Sequence, residues 1–375
     1  MHGRVTLIFS NFKRTDSSPK LNSESLYDFY DRSSRADVSH VRDEMQRLCV
    51  QFPTPAEIES RFQSRDDQQF RSAEFEILIY DALVRNGFSA QVHPSIAGTS
   101  RTPDFLVSAP GGEHFYLEAT LANEKREEET EHPLVATTLD VFSKNTHKNF
   151  CVIVKTTGVP ATQPNQRALL RYVNEWLDSF DPDEIMQREF TAYPETTWRS
   201  GDLELVITAI PLKPDRRGKS SQMLGAFQGD AGWVDPVSGI RTSIRKKGMA
   251  YGELDLPFVI AVNVEGKFVH ESDEVSALFG SEVIKYEVES KRAWVDRAQD
   301  GAWLGVGGPI LRRVSGAWIF NCLHVHNYGR SNPTLYLNPW ANQPAPDALK
   351  VFPHMLAIDG YLKPRTDPVT ELARL

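Results

Sequence analysis

Helical and strand-like segments alternate along the 375 residues, which predicts an α/β protein. Apolar residues recur at helical spacing over 37–52 and 72–86, and strand-like runs fall at 88–96, 103–109 and 114–122. The same two patterns keep exchanging as far as residue 339. Composition agrees, because 40% hydrophobic residues can fill a sizeable core and 25% charged residues is ordinary for a soluble globular chain. The length suggests two domains or one large elaborated one.

Residues 1–23 are polar and end Ser-rich, so they read as a loose lead-in. Val38, Val41, Met45 and Leu48 share one helix face, and Pro53-Thr54-Pro55 ends that helix. Phe75, Leu78, Ile79 and Ala82 form the next apolar stripe, stopped by Gly87. After the three strand-like runs comes a charged connector, EKREEETE (124–131), which suits a solvated face. Residues 134–145 read as a helix and NFCVIVKTTG (149–158) as a buried strand. Beyond Gly158 the expected elements are a helix at 165–180, a strand at 202–212, a basic helix at 238–251 and a strand at 256–266. Residues 315–327 and 334–339 read as a closing antiparallel pair. The division expected is a tail with helices over 1–69, a core over 70–160 and a C-terminal α+β region over 161–375, with the later strands free to continue the same sheet.

Several function classes drop out. A net charge of −8 argues against bulk electrostatic attachment to nucleic acid but leaves room for a local basic groove. Three scattered cysteines form no disulfide framework and point to a reducing cytosol. No apolar run reaches the roughly 18 residues of a membrane span, and the N-terminus lacks a signal-cleavage pattern, so a cytoplasmic location is expected. There is no Walker motif, G-x-S-x-G or H-E-x-x-H, and GVGG (305–308) lacks the strand-to-helix context of a phosphate loop. Cys322, His324 and His326 would share one strand face, but their spacing matches no common zinc motif, so a polar face is the reading.

The stretch RTPDFLVSAPGGEHFYLEATL (101–121) sets Asp104 and Glu118 within apolar runs, where a charge is expensive unless paired or bound to a metal. Pro110-Gly111-Gly112 is a turn signal, so the flanking runs should form a hairpin. If those three residues are the loop, Asp104 falls opposite Glu118, with Cβ atoms roughly 4.5–5.5 Å apart. Such a pair repels unless a divalent cation lies between. A two-residue loop would put the acids on opposite faces. The purely structural alternative has Asp104 capping the strand and Glu118 paired with an arginine such as Arg101.

These residues resemble the PD-(D/E)XK superfamily, the restriction-endonuclease-like nucleases. Pro103-Asp104 matches the "PD" element and Glu118-Ala119-Thr120 matches "(D/E)XK", while Glu76 in FEILIYDAL matches the acidic residue many members carry on the first core helix. The resemblance covers about residues 70–158, and its motif is short and moderately specific. A wider stretch, including KKGMAYGELDLPFVIAVN (246–263), is similar to a set of uncharacterised bacterial proteins. The superfamily likeness implies a restriction-endonuclease-like core of helix, three-strand meander, helix and strand, flanked by N-terminal helices and a C-terminal α+β extension. It implies hydrolysis of phosphodiesters with Mg²⁺ or Mn²⁺ held by Asp104 and Glu118, and Glu76 holding a metal water. The substrate implied is nucleic acid, DNA ahead of RNA, with no membrane. A second copy of the chain or a protein partner stays open, as does a catalytically degenerate binding module.

Thr120 stands where the superfamily has its lysine, so the positive charge must come from elsewhere. Lys155 is the first candidate, because a right-handed crossover would lay its strand parallel beside that of Glu118; snorkelling from the strand end is the alternative. Lys144 and Lys148 come next. His93 suits a structural role before Pro94 better than a place in the site. Arg241, Arg245, Lys246 and Lys247, near Arg216, Arg217 and Lys219, would either grip a phosphate backbone or form a solvated helix face. Tyr251 and Trp233 read as core.

Overall fold

Capping side chains and prolines fix where the helices start. In the computed structural model of the chain, residues 7–96, 100–122, 132–219, 222–228, 235–266, 269–289, 291–358 and 361–365 are described. Ser25 accepts the Asp28 amide to open α1 (Leu26–Arg32). Helix α2 (Ala36–Gln51) buries Val38, Val41, Met45 and Leu48, and α3 (Pro55–Phe62) starts on a proline, whose missing N–H costs nothing there. Asp66 caps α4 (Asp67–Arg85) through the Gln68 and Gln69 amides. Strands β1 (Ser89–Val92), β2 (Phe105–Ser108) and β3 (His114–Ala122) follow, then α5 (Pro133–Lys144) and β4 (Phe150–Thr157). Next come α6 (Gln166–Asp178), α7 (Pro182–Met186), β5 (Glu195–Ser200), β6 (Leu203–Pro211) and β7 (Leu224–Gln228). Helix α8 (Pro236–Gly248) leads into β8 (Phe258–Val264), and α9 (Glu271–Phe279) precedes the hairpin β9 (Glu282–Glu287) and β10 (Arg292–Arg297). The two-residue strands β11 (Leu304–Gly305) and β12 (Gly308–Pro309) come before β13 (Gly316–Asn321), β14 (Thr334–Leu337), β15 (His354–Ile358) and β16 (Tyr361–Arg365). Helices α1 and α3 went unread in the sequence because each is too short to show a periodic stripe. The connector 124–131 lies outside the described residues.

The chain divides into two units, one of Met1–Phe12, Ala36–Glu124 and Val234–Leu375, the other of Lys13–Arg35 and Lys125–Trp233. The first is built on a mixed sheet ordered β1-β2-β3-β8-β13-β14-β15-β16. Its centre is parallel, β3 with β8 and β8 with β13, and its flanking hairpins are antiparallel, including the expected pair β13–β14. Every residue of β8 is buried, as a strand needs when both sheet faces are covered. On one face Phe258, Ile260 and Val262 pack with Ile240 and Ile244 of α8 and Leu278 of α9. On the other, Phe75 of α4 sits edge-on to Phe320, centroids 5.3 Å apart. Tyr116 and Ala122 belong to the α8 side, so strand alternation puts Glu118 and Thr120 on that side too.

The second unit carries a four-stranded sheet ordered β5-β6-β4-β7. Val152, Val154, Leu205 and Ile207 from its strands form a core with Leu139 and Phe142 of α5 and Leu169, Val173 and Leu177 of α6. The expectation that the strand of Lys155 lies parallel beside that of Glu118 is therefore corrected: β8 takes that place. Burial alternates along β4, which suits a sheet with one covered face, whereas β8 is buried throughout and belongs at a sheet centre. Residues 70–160, read as one core, span the Glu124/Lys125 division. Among the described residues no helix is long and apolar enough to cross a membrane.

Candidate active site

The turn between β2 and β3 decides which side chains meet. Ala109 donates to the Glu113 carbonyl at 2.8 Å and Gly112 to the Ala109 carbonyl at 2.9 Å, which leaves 110–112 as a three-residue loop. Gly112 has φ +90°, a conformation open to glycine at no steric cost. The register that follows pairs Phe105 with Leu117 and Ser108 with His114. One step further along, Asp104 comes across from Glu118 on the α8 face. Asp104 Oδ2 accepts the Ala119 amide at 2.7 Å, beside Glu118 on the same strand.

Glu118 is 3% exposed, so its charge needs partners. Lys247 Nζ donates to Oε1 at 2.5 Å, and the Tyr251 hydroxyl donates to Oε2 at 2.5 Å. Both come from the end of α8 and the segment after it. The helix that covers β3 and β8 thus brings an ammonium to Glu118. Burial works against the Lys247 charge, but Glu118, assisted by the Asp104 and Glu76 charges, outweighs it and holds the ammonium above the usual lysine range. Burial and Glu118 together push the Tyr251 hydroxyl far up, so it stays protonated and donates.

Asp104 is perturbed as well. Burial raises its carboxyl well above the usual range, and the Glu118 and Glu76 charges push the same way. The Ala119 amide and Lys247 oppose that rise without cancelling it. Glu76, on α4, is held bidentately by Arg61 of α3, at 2.6 and 2.7 Å, with Ser72 Oγ 3.4 Å from Oε1. A cleft of about 340 Å³ opens here, lined among others by Arg61, Ser72, Thr120, Ser243, Lys246 and Lys247.

A divalent cation fits this donor set in part. Asp104 Oδ1 accepts no hydrogen bond among the described residues, and a cation would offset the repulsion that raises this carboxyl. Two carboxylates with waters suffice for Mg²⁺ or Mn²⁺. Both Glu118 oxygens already have a donor, so coordination there shares the Lys247 or Tyr251 contact. Among the described residues no three His, Cys, Asp or Glu side chains are placed to hold a metal together.

The other sequence candidates fall elsewhere. Lys155 is exposed on β4, in the sheet of the second unit. Lys144 and Lys148 lie in that unit too, near Asp140 and Asp178 at 3.8 and 3.9 Å. His93 meets Glu57 at 3.0 Å, the structural role expected. Arg101 donates to the Ala250 carbonyl at 2.9 Å, and Lys247 takes the place offered to it beside Glu118. Arg241 pairs with Asp300 at 3.0 Å and Arg245 donates to the Gly301 carbonyl at 2.7 Å, so both tie α8 to the loop after β10. They do not form a free phosphate-gripping face; Lys246 is exposed and lines the cleft. Cys322, His324 and His326 follow the end of β13 in a turn and short helix, not along a strand face. Trp233 lies outside the described residues.

The sequence offers Lys247 either as a phosphate contact or as part of a solvated helix face, gives Tyr251 as core, and does not single out Arg61. The signal for Lys247 was present: a basic helix leading into FVIAVNV, apolar but for Asn263, is a crossover helix and central strand. Comparisons with family models, curated proteins and solved structures find no match for the chain.

Proposed function

We propose that the chain is a metal-dependent phosphodiesterase acting on nucleic acid, of the PD-(D/E)XK kind, with its lysine supplied by α8. The carrying observation is Lys247 Nζ on Glu118 Oε1 in a site where Asp104 is pushed far from its usual ionisation. On this reading the restriction-endonuclease-like core is α4, β1–β3, α8 and β8, and the second unit interrupts it between β3 and α8. Asp104 and Glu118 would hold Mg²⁺ or Mn²⁺, which supplies a Lewis acid for the phosphoryl oxygens and acidifies a water. Lys247 keeps a positive charge where charge grows on phosphorus, the role the motif lysine would have played from position 120. Thr120 offers a hydroxyl to the cleft, and Lys246 stands at its mouth to meet a backbone phosphate. Arg61 fixes Glu76 in orientation.

One observation favours the second reading, a nuclease-fold module that binds nucleic acid or protein without cleaving it. Both oxygens of Glu118 and both of Glu76 are already engaged by donors of the chain. The test is cleavage of labelled single- and double-stranded DNA and RNA with Mn²⁺. Cleavage by the unmodified chain that disappears in Asp104→Asn and Lys247→Ala supports the nuclease. Binding without cleavage supports the module.

A further inference from the structure

A second constellation stands apart from the carboxylates. Cys322 follows the last residue of β13 with φ +52°, a left-handed conformation that a non-glycine residue adopts at a cost. The turn carries Sγ to 3.7 Å from His324 Nε2, and the other ring nitrogen, Nδ1, lies 3.1 Å from Glu74 Oε2. Glu74 projects from α4 and is 4% exposed; its second oxygen accepts the Val325 amide at 2.9 Å. Thiol, imidazole and buried carboxylate therefore form one chain, with the imidazole oriented from behind, the arrangement that activates a sulfur nucleophile.

Among the described residues, the other charged or titratable groups near Cys322 are His326, Arg71 and Glu265. His326 stacks on His324 with centroids 5.3 Å apart, and Arg71 pairs with Glu265 at 3.3 Å. His324 lowers the Cys322 pKa against the pull of burial; Arg71 assists and Glu265 opposes. Burial opposes the His324 charge, but Cys322 and Glu74 override it and push the imidazolium up to about 10. The neighbouring imidazolium helps keep His326 below its usual value, after burial. The remaining cysteines lie at the other extreme. Cys49 is fully buried and burial pushes it up to about 11, and burial also raises Cys151.

The surroundings select the chemistry. Acyl transfer needs free amides to hold an oxyanion. Here the Cys322 amide donates to Val264, Leu323 to Asn263, His324 to Asn327 and Val325 to Glu74, so four consecutive amides are engaged. Thiol–disulfide exchange needs only a thiolate with access. We propose that Cys322, half-buried and paired with His324 and Glu74, is a reactive thiolate that forms mixed disulfides with small-molecule disulfides such as glutathione disulfide. The thiolate sulfur attacks one sulfur of the disulfide and the S–S bond breaks. A Cys322–S bond forms, and the second sulfur leaves as a thiolate that takes a proton from solvent. The disulfide is itself the oxidant: the Cys322 sulfur is oxidised and the leaving sulfur is reduced.

The test follows the reduced full chain with glutathione disulfide at several pH values, reading each cysteine by peptide mass. A short unstructured cysteine peptide is the reference. For each pH unit by which a thiol pKa falls, the thiolate fraction rises about tenfold and its nucleophilicity drops about threefold. Cys322 should therefore outpace the reference by about threefold or more at pH 6, lose that lead above pH 9, and be modified before Cys49 and Cys151. His324 is a positioning residue: His324→Gln should remove the lead at pH 6 and leave the rate at pH 9. Parallel pH profiles for Cys322 and the peptide, no modification at Cys322, or an unchanged profile in His324→Gln would each overturn the proposal. If that variant fails to fold, the profile of the unmodified chain decides alone.

Discussion

Removing the Lys247 ammonium leaves Glu118 as a buried carboxylate with Tyr251 its one remaining donor among the described residues. Breaking a fully buried pair from one side costs about 3–5 kcal/mol. Lys247 is 31% exposed along its side chain and Glu118 4%, so water can enter behind a shortened residue and recover part of that. About 2–3 kcal/mol remains for Lys247→Met. Glu118→Gln removes the charge instead and strands a partly solvated ammonium, a loss of about 1–2 kcal/mol. The double variant leaves no unpaired charge, so the two losses should not add, and a coupling of about 2 kcal/mol is expected. Urea unfolding read by tryptophan fluorescence measures it, since Trp303 and Trp318 are fully buried in the same unit. At an unchanged slope Lys247→Met should shift the midpoint by about 1 M and Glu118→Gln by about half as much. Additive losses, with coupling under about 0.5 kcal/mol, would mean that Lys247 and Glu118 do not form a pair in solution and would remove the basis for the migrated lysine.

Cleavage should fall by about a hundredfold or more in Lys247→Ala and stay unchanged in Lys155→Ala, measured on the same labelled nucleic acids with Mn²⁺. Asp104 has a folded pKa above its unfolded value, so the folded chain holds the extra proton, and raising pH from about 4 through the raised pKa destabilises it. Asp104→Asn should thus unfold at higher urea than the parent at neutral pH, with the gain vanishing near pH 4; an equal deficit at both pH values would contradict the assignment. A bound cation needs Asp104 ionised, so Mg²⁺ or Mn²⁺ affinity should rise with pH and binding should release a proton, seen by calorimetry in buffers of different ionisation enthalpy. Gly248→Ala should cost about 1–3 kcal/mol in urea unfolding, because the new methyl would stand 2.7 Å from Leu311 Cδ2 and 2.9 Å from Val314 Cγ2, beneath the turn that presents Tyr251.

The legible parts of the chain were the ones set by local rules. Pro110-Gly111-Gly112 sets the hairpin register, and with it the meeting of Asp104 and Glu118, because loop length and φ > 0 at Gly112 are local facts. The stripes of α2 and α4 were readable for the same reason. What could not be read is which strand closes against β3. Strand β4 follows in order and looks buried, but Lys155 and Thr157 show that one of its faces is open, while the uninterrupted FVIAVNV of β8 has no open face. Partner choice in a sheet is settled by burial on both faces, a tertiary quantity, and not by distance along the chain.

That one choice moves the catalytic assignment. A site assembled at the end of β3 draws its third component from whichever helix crosses over to the neighbouring parallel strand. If β4 were that neighbour, the crossover helix would be α5, whose only lysine is Lys144 in its last turn, and Lys155 would have to reach in from the strand. With β8 as neighbour the crossover helix is α8, whose last turn carries Arg245, Lys246 and Lys247. Cations in a last turn are favoured by the helix dipole even without a partner, so Arg245 and Lys246 need no further cause. Lys247 does. Burial works against its charge, and Glu118 facing it across 2.5 Å, assisted by the Asp104 and Glu76 charges, offsets that cost. The same buried carboxylate that made the sequence suspicious thus accounts for its partner. On the proposed nuclease reading Thr120 can be neutral because the covering helix would supply the cation, and a lysine placed at position 120 would put a second ammonium on the α8 face, beside the first. Thr120→Lys should therefore weaken, not strengthen, cleavage by the unmodified chain, and should restore it only in Lys247→Ala.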